Sequence, residues 1–264
     1  MGVAYGVNPT WATQTNEGRT HIATKGIVQS GLVLNFDAGV SSSYPGSGTT
    51  WTDLSGNGNN GTLVNGVGYD SGNGGSLSFD GTNDYVTAPL SSQFEFGTGE
   101  FTVEAWVNLA SVSIVSSRIL GIGDGANGGA PLTYTGWSFN VTNLSGTIYL
   151  YFYRFDGTET FYRVVIPSFS TNQWFHFVAT RNASNTLTLY SNGVAISTTA
   201  SVTQSYNSVN SQPLYLGSIF EGSGGASTKY LNGRVSNARI YKGKGFSAAE
   251  VSQNYNALRS RFGI

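Results

Sequence analysis

One segment of the sequence, residues 101–109, constrains the fold more than any other because its side chains alternate strictly. The odd positions are all apolar, and the even positions are Thr, Glu, Trp and Asn. Since successive side chains of a β-strand point to opposite faces, this alternation predicts a strand with one buried face and one partly open face. The sequence therefore points first to a β-sheet protein.

Turn residues separate further segments with strand-like patterns. Asp156-Gly157 and Asn192-Gly193 favour the tight turns of β-hairpins, because Asn, Asp and Gly tolerate positive φ angles. The 36 glycines and the aromatic content of 13% are typical of a turn-rich β protein. The predicted strands cover residues 31–37, 61–64, 76–79, 85–88, 101–109, 148–153, 161–166, 174–181, 186–191, 194–197, 214–218 and 231–241.

Composition and charge exclude several classes of protein. The 13 Lys and Arg residues are balanced by 14 Asp and Glu residues, so the basic excess of a nucleic-acid-binding protein is missing. The absence of cysteine excludes disulfides, cysteine-ligated zinc and a thiol nucleophile. No apolar run approaches the ~20 residues of a membrane helix, and the first residues lack the apolar stretch of a secretory signal. We therefore expect no nucleic-acid partner, no membrane partner and no signal peptide.

The first 30 residues differ from the rest of the chain. They are polar, they lack alternation, and their few large apolar side chains include Tyr5 and Trp11. We interpret residues 1–30 as an extended N-terminal arm that packs on a partner through Tyr5 and Trp11. The alternative is a frayed terminus. Residues 31–264 are expected to form one domain, without a further boundary or an internal repeat.

Seven motifs occur in a fixed order along the chain. They are GLVLNFDAG (31–39), WTDLSGNGNNG (51–61), SFDGTNDYV (78–86), FTVEAWV (101–107), LYSNG (189–193), GRVSNARIY (233–241) and FSAAE (246–250). Together they resemble the laminin-G-like branch of the concanavalin A-like lectin/glucanase superfamily. The resemblance extends from residue 31 to residue 262. It implies an all-β fold, a jelly-roll sandwich of two antiparallel sheets.

The C-terminal segment predicts one short helix. Ser247 and Glu250 form a capping box, in which each side chain bonds the backbone N–H of the other residue. Four apolar side chains then recur on one helical face: Val251, Tyr255, Leu258 and Phe262. We expect this helix at the edge or the end of the sandwich.

Two segments are similar to laminin-G-like proteins encoded by tailed bacteriophages. They are SYPGSGTTW (43–51) and NYNALRSRF (254–262). The similarity implies a virion protein that is made in the host cytoplasm and released by lysis, which fits the missing export signal. Its partners would be other virion proteins, reached through the N-terminal arm, and a homo-oligomer is compatible with this interpretation.

The catalytic pattern of the superfamily's glucanases is missing from the chain. Those enzymes resemble one another in a Glu-x-Asp-x-Glu strand motif, whereas segment 101–109 carries Glu104 alone. Hydrolysis of a glycosidic bond needs two carboxyl groups that flank the sugar. We predict that the chain is not an enzyme, that Glu104 bonds to backbone or to a nearby arginine, and that His176 is a packed residue.

A structural calcium ion is the one cofactor that the resemblance suggests. Asp53, Asp80 and Asp84 lie in Asn- and Gly-rich loops of the kind that supply oxygen ligands to Ca²⁺. The favoured alternative is that each carboxylate caps a turn by accepting from nearby amides. Many relatives carry an acidic residue in the last long strand, where this chain has Ser236 and Asn237.

Aromatic side chains near amide groups are candidates for sugar-binding platforms. The candidates are Tyr44 and Trp51 in the first loop, and Tyr134 and Trp137 near the glycine-rich stretch 121–129. Exposure of Trp51 beside Trp137 would favour a platform, whereas burial of both would favour a purely structural protein.

A stripe of three tyrosines, Tyr149, Tyr151 and Tyr153, is a further candidate, with inter-sheet core or a subunit interface as the alternative. The sequence thus predicts a non-enzymatic virion surface protein that binds host or environmental glycans through a lectin-like domain. The alternative function is a structural capsid-decoration or tail component that makes only protein contacts.

Overall fold

The structure, a computed structural model, describes residues 26–112, 117–123, 135–156, 159–207, 213–218 and 229–264. The strands in these residues are β1 (Leu32–Asp37), β2 (Thr50–Trp51), β3 (Gly61–Val64), β4 (Gly68–Asp70), β5 (Ser76–Asp80), β6 (Tyr85–Ala88), β7 (Phe101–Leu109), β8 (Ser117–Gly123), β9 (Thr135–Leu144), β10 (Thr147–Asp156), β11 (Glu159–Val165), β12 (Trp174–Arg181), β13 (Leu187–Ser191), β14 (Val194–Thr199), β15 (Leu214–Leu216) and β16 (Asn232–Lys242). Helix α1 covers Ala248–Leu258, and 3₁₀ turns cover Gly72–Gly74, Ser92–Phe94 and Arg259–Phe262.

The strands form two antiparallel sheets, as predicted. The first sheet has the order β14-β13-β12-β7-β16-β5-β4, and β1 pairs with the remaining length of β16. The second sheet has the order β11-β10-β9-β8-β15-β6-β3-β2. The predicted two-sheet sandwich with one short C-terminal helix is therefore confirmed.

The inner faces of the two sheets enclose one hydrophobic core. Phe101 of β7 stacks on Phe152 of β10 with ring centroids 5.1 Å apart, and Trp137 of β9 lies 5.7 Å from Phe152. All five apolar odd positions of β7 belong to this core. The alternation in residues 101–109 thus marks the inner face of the first sheet correctly.

The prediction that the other face of β7 is partly open is wrong. All nine residues of the strand are buried. The C-terminal segment lies across the outer face of the first sheet, where the rings of Tyr255 and Phe262 stack on Trp106 at 5.6 and 4.2 Å. The helix therefore covers a sheet face, rather than the edge or the end of the sandwich where we expected it.

The predicted helix itself is confirmed. The Ser247 hydroxyl accepts from the backbone N–H of Glu250, and the Glu250 carboxylate accepts from the backbone N–H of Ser247. Val251 and Leu258 are buried against the sheet. No helix among the described residues is long and apolar enough to cross a membrane.

The predicted N-terminal arm lies mostly outside the described residues, and so do Tyr5 and Trp11. Its last residues belong to the body of the domain. Ile27 is buried, the backbone N–H of Val28 donates to Asn254, and Gln253 donates to the carbonyl of Gly26. The folded unit thus includes residues 26–30.

Candidate functional site

The first two predicted platform residues are part of the core. Trp51 is fully buried and stacks on Phe36, with ring centroids 4.7 Å apart. Tyr44 is also buried, and its hydroxyl donates to the carbonyl of Gly48. Because an enclosed ring cannot offer its face to a sugar, the prediction of a platform from Tyr44 and Trp51 is corrected.

The second predicted pair does not form a platform either. Trp137 lies on β9, its ring is fully buried, and its Nε1 donates to the carbonyl of Phe94 at 2.8 Å. Tyr134 lies outside the described residues. Although Trp137 follows a glycine-rich stretch in the sequence, it lies on a strand whose alternate residues Trp137, Phe139 and Val141 point into the core.

The calcium candidate Asp53 serves as a turn cap. Its Oδ1 accepts from the backbone N–H groups of Asn35 and Ser55, both at 2.9 Å. Its Oδ2 accepts from the Ser55 hydroxyl at 2.7 Å and from the backbone N–H of Asn59 at 3.1 Å. These bonds are those of the capping alternative.

Asp80 and Asp84 cap the next turn. Asp80 accepts from the backbone N–H groups of Thr82 and Asn83, and Asp84 accepts from the backbone N–H of Asp80. Within the described part of the chain, no group of three or more His, Cys, Asp or Glu side chains is placed to hold a metal ion.

Glu104 lies at the centre of a polar cluster beneath α1. Its carboxylate contacts His176 Nε2 at 3.1 Å, Arg239 at 3.1 Å and the Asn254 amide at 3.0 Å. All four side chains are fully buried. The expected bond between Glu104 and an arginine is thus confirmed, and His176 is a packed residue as predicted.

The cluster extends to a second carboxylate. Arg239 also contacts Asp37 at 3.5 Å, and Asp37 accepts from Arg261 at 2.7 Å. Burial by itself raises the pKa of Glu104, but the hydrogen bond to His176 and the charges of His176 and Arg239 outweigh it and lower the pKa to about 2. These groups neutralise one another in a closed interior.

The tyrosine stripe faces outward from the second sheet. Leu150 and Phe152 of β10 point into the core, so Tyr149, Tyr151 and Tyr153 lie on the opposite face of the strand. The rings of Tyr151 and Tyr153 stack at 5.0 Å, and Tyr149 meets Tyr151 edge-on at 6.1 Å. The inter-sheet core is therefore excluded as the location of this stripe.

The neighbouring edge strand β11 adds two side chains to the same face. Phe161 pairs with Tyr153, and Arg163 pairs with Tyr151. Phe161 keeps 44% of its surface exposed, and its ring lies 5.6 Å from that of Tyr153. Tyr151 is only 2% exposed, so the accessible surface consists of Tyr149, Tyr153, Phe161 and Arg163 around it, and we call this surface the aromatic face.

Arg163 is the cationic centre of the aromatic face. It donates to the Tyr151 hydroxyl at 2.8 Å, and its guanidinium lies 5.1 Å from the Tyr149 ring centroid and 5.4 Å from that of Phe161. The hydrogen bond to Tyr151 raises the pKa of Arg163. No carboxylate among the described side chains pairs with it. The sequence did not reveal this contact, which depends on the register between β10 and β11.

Residues 80–252, about two thirds of the chain, match the family model described as the concanavalin A-like lectin/glucanases superfamily. No curated protein sequence matches the chain significantly.

Solved structures with the same fold include two toxin binding domains and a sialidase. The binding domain of Paraclostridial mosquitocidal protein 1 has a TM-score of 0.63 and 18% identity, over 87% of this chain and 52% of its own. The binding domain of botulinum neurotoxin DC, in complex with rat synaptotagmin II, has a TM-score of 0.61 and 13% identity, over 88% and 52%.

A Trypanosoma rangeli sialidase mutant that displays trans-sialidase activity has a TM-score of 0.61 and 15% identity, over 90% of this chain and 34% of its own. The chain thus spans about half the length of the toxin domains and about a third of the sialidase. Likeness at these identities shows a common fold alone.

Proposed function

The chain belongs to the concanavalin A-like lectin/glucanase superfamily, and we propose that it is a non-enzymatic, lectin-like protein that binds glycans through the aromatic face. The observation that carries the proposal is the guanidinium of Arg163 over the rings of Tyr149 and Phe161, with the Tyr153 ring beside Phe161. Aromatic rings pack on the apolar faces of sugars, while phenol and guanidinium groups bond their oxygens. The similar folds of a toxin binding domain in complex with synaptotagmin and of a sialidase support a role in recognition.

We propose further that the protein has no hydrolytic activity. A glycosidase places two carboxyl groups roughly 5–9.5 Å apart around an accessible sugar. Glu104 and Asp37 are instead enclosed beneath the C-terminal segment, and both bond to Arg239. Release of reducing sugar from polysaccharides by the purified protein, abolished by Glu104→Gln, would contradict this proposal.

The biological setting that we propose is the virion of a tailed bacteriophage. Its support is the likeness of segments 43–51 and 254–262 to phage-encoded laminin-G-like proteins. In this setting residues 1–30 attach the domain to other virion proteins through Tyr5 and Trp11. Deleting residues 1–25 should then abolish assembly and leave the melting temperature nearly unchanged, whereas a large loss of stability would argue against an arm.

A structural component that makes only protein contacts is the second candidate. Burial of Trp51 and Trp137 favours it, because these rings cannot serve as a sugar platform. Tyr, Phe and Arg are also the residues that are enriched in the cores of protein interfaces. On this alternative the aromatic face docks on another virion subunit.

A glycan array with matched variants separates the two candidates. Arg163→Ala should weaken glycan binding roughly tenfold or more, in the range of a binding hot spot. Arg259→Ala is the control, because Arg259 is an exposed arginine that lies 6.0 Å from the Tyr255 ring, in the C-terminal segment that covers the other sheet. Absence of any glycan bound by the folded wild-type protein, together with stable binding to virion subunits, would favour the structural role.

A further inference from the structure

A cleft of about 620 Å³ lies on the first sheet, remote from the aromatic face. It opens where β7 ends and where β12 and β16 begin. Trp174, Asn108 and Arg234 form a cross-strand row along its floor, because Asn108 pairs with Trp174 on one side and with Arg234 on the other. The volume is within the range of small-molecule binding sites, roughly 300–1,000 Å³.

One carboxamide without a hydrogen-bond partner among the described residues, that of Asn108, reaches the cleft. Asn108 is only 3% exposed, lines the cleft, and makes no side-chain hydrogen bond to any described residue. Its amide group can therefore both donate to and accept from a molecule in the cleft. Asn172 and Gln173, at the rim, likewise make no side-chain hydrogen bond to the described part of the chain. Three carboxamides are therefore available to one ligand.

The backbone at the rim adopts a left-handed conformation that favours Asn. Asn73, Asn172 and Asn192 all line the cleft with positive φ angles of 52°, 60° and 50°. Asn is among the non-glycine residues that best tolerate this left-handed conformation. The turns thus hold their shape while supplying side chains that glycine would lack.

The one charged side chain among the described lining residues, Arg234, is paired. Arg234 forms an ion pair with Asp70, and its guanidinium lies 5.8 Å from the Trp174 ring centroid. The apolar part of the wall is small, because Trp174 and Phe262 pack on each other and remain 7% and 6% exposed. A wall of this kind suits a ligand that is neutral and rich in hydrogen-bonding groups.

We propose that this cleft is a second saccharide site, which takes a neutral mono- or disaccharide. The carboxamides of Asn108, Asn172 and Gln173 bond the sugar hydroxyls, since an amide both donates and accepts. The small accessible parts of Trp174 and Phe262 contact its C–H groups. This site is separate from the aromatic face and does not depend on the function proposed for that face.

The test is a titration of the full chain with neutral sugars, followed by saturation-transfer NMR and calorimetry. The panel contains glucose, mannose, galactose, maltose and lactose, with N-acetylneuraminic acid and glucuronic acid as charged comparisons. The variant Asn172→Gly/Gln173→Ala removes two carboxamides, retains the backbone bond from residue 172 to Leu109, and suits the positive φ at 172. The matched control is Asn185→Gly, which makes the same change at φ 56° outside the cleft.

We expect a neutral sugar to bind the wild-type chain, and the double variant to weaken it roughly tenfold through the loss of two hydrogen bonds. Asn185→Gly and Arg163→Ala should leave this binding unchanged. The second site is rejected if no neutral sugar binds at about 10 mM, or if the double variant binds as the wild type does. Glycan binding that is lost only in Arg163→Ala would reject the cleft and retain the aromatic face. Glycan binding that is lost only in the double variant would retain the cleft and reject the aromatic face.

Discussion

The outer faces of the two sheets both carry aromatic and charged side chains, but only the face of the first sheet is covered by the C-terminal segment. On the first sheet, Glu104, Trp106 and His176 point away from the core and are fully buried beneath the C-terminal segment. On the second sheet, Tyr149 and Arg163 also point outward, and Arg163 stays exposed. The alternation along a strand identifies its faces, but whether a face is covered depends on residues far away in the chain.

The difference is clearest in two arginines. Arg239 is enclosed and donates to Asn35, Glu104 and Asp37. Arg163 is exposed, lies over aromatic rings and has one hydrogen-bond acceptor among the described residues, the Tyr151 hydroxyl. A buried ion is strongly destabilising once its partner is removed, whereas an exposed one is solvated by water. Removal of one charged partner from the covered face should therefore destabilise the fold far more than removal of Arg163 from the open face.

The largest expected effect is that of Glu104→Ala on the covered face. It leaves Arg239 with the more distant Asp37 as its remaining carboxylate and removes one of the two acceptors of the Asn254 amide. Breaking a buried pair in this way costs about 3–5 kcal/mol of unfolding free energy. Urea denaturation measures the loss. A change below 1 kcal/mol, as is typical of exposed pairs, would mean that the covered face is not closed to water.

The next effect is the pH dependence of the unfolding free energy that Glu104 causes. The pKa of Glu104 is about 2, below its usual value of 4.5, so its contribution to stability is fully present above pH 4.5 and is lost as the pH falls toward 2. This contribution amounts to about 3 kcal/mol. Unfolding free energies of wild type and Glu104→Gln should therefore converge as the pH falls from 4.5 to 2. A difference that stays constant across this window would contradict the pKa of Glu104.

A smaller effect is expected from the cap of the covering helix. Ser247→Ala removes the acceptor of the Glu250 N–H and should cost about 1 kcal/mol of unfolding free energy. Hydrogen exchange should increase in α1, while ligand binding at the aromatic face should not change. Ser260→Ala, in the following 3₁₀ turn, is a control outside the capping box. Equal losses from the two variants would show that the capping box has no special role.

The sequence predicted the strands of the covered face and the helix itself, but not the position of the helix over that face. The bounds of β7 and β12 and the apolar face of α1 follow from periodicity, and the capping box follows from a four-residue motif; both are local properties of the sequence. The position of α1 over β7 does not, because it depends on contacts such as Tyr255 with Trp106, about 150 residues apart. The paired charges beneath the helix were predicted only as a bond between Glu104 and an arginine.

The strands of the second sheet were harder to predict from the sequence. The strands β8 and β9 were missed, although Trp137, Phe139 and Val141 alternate in β9. In β8 a register shift between Arg118 and Leu120 interrupts the alternation. The candidate sites share this problem. The tyrosine stripe follows from one strand, but the stacking of Arg163 requires a pairing between two strands that no local pattern fixes.

The smallest effect on stability is expected from Arg163→Lys, and its comparison with Arg239→Lys is the most direct test of how the two faces differ. Lysine keeps the charge but has neither the planar group nor the five donors of arginine. Arg239→Lys should destabilise the protein strongly, because one ammonium group cannot reproduce the bonds to Asn35, Glu104 and Asp37. Arg163→Lys should leave the melting temperature unchanged yet weaken glycan binding several-fold, since stacking on Tyr149 and Phe161 needs the planar guanidinium. Binding that Arg163→Lys fully preserves would mean that the open face recognises charge alone, and a fall in melting temperature as large as that of Arg239→Lys would mean that the two faces do not differ.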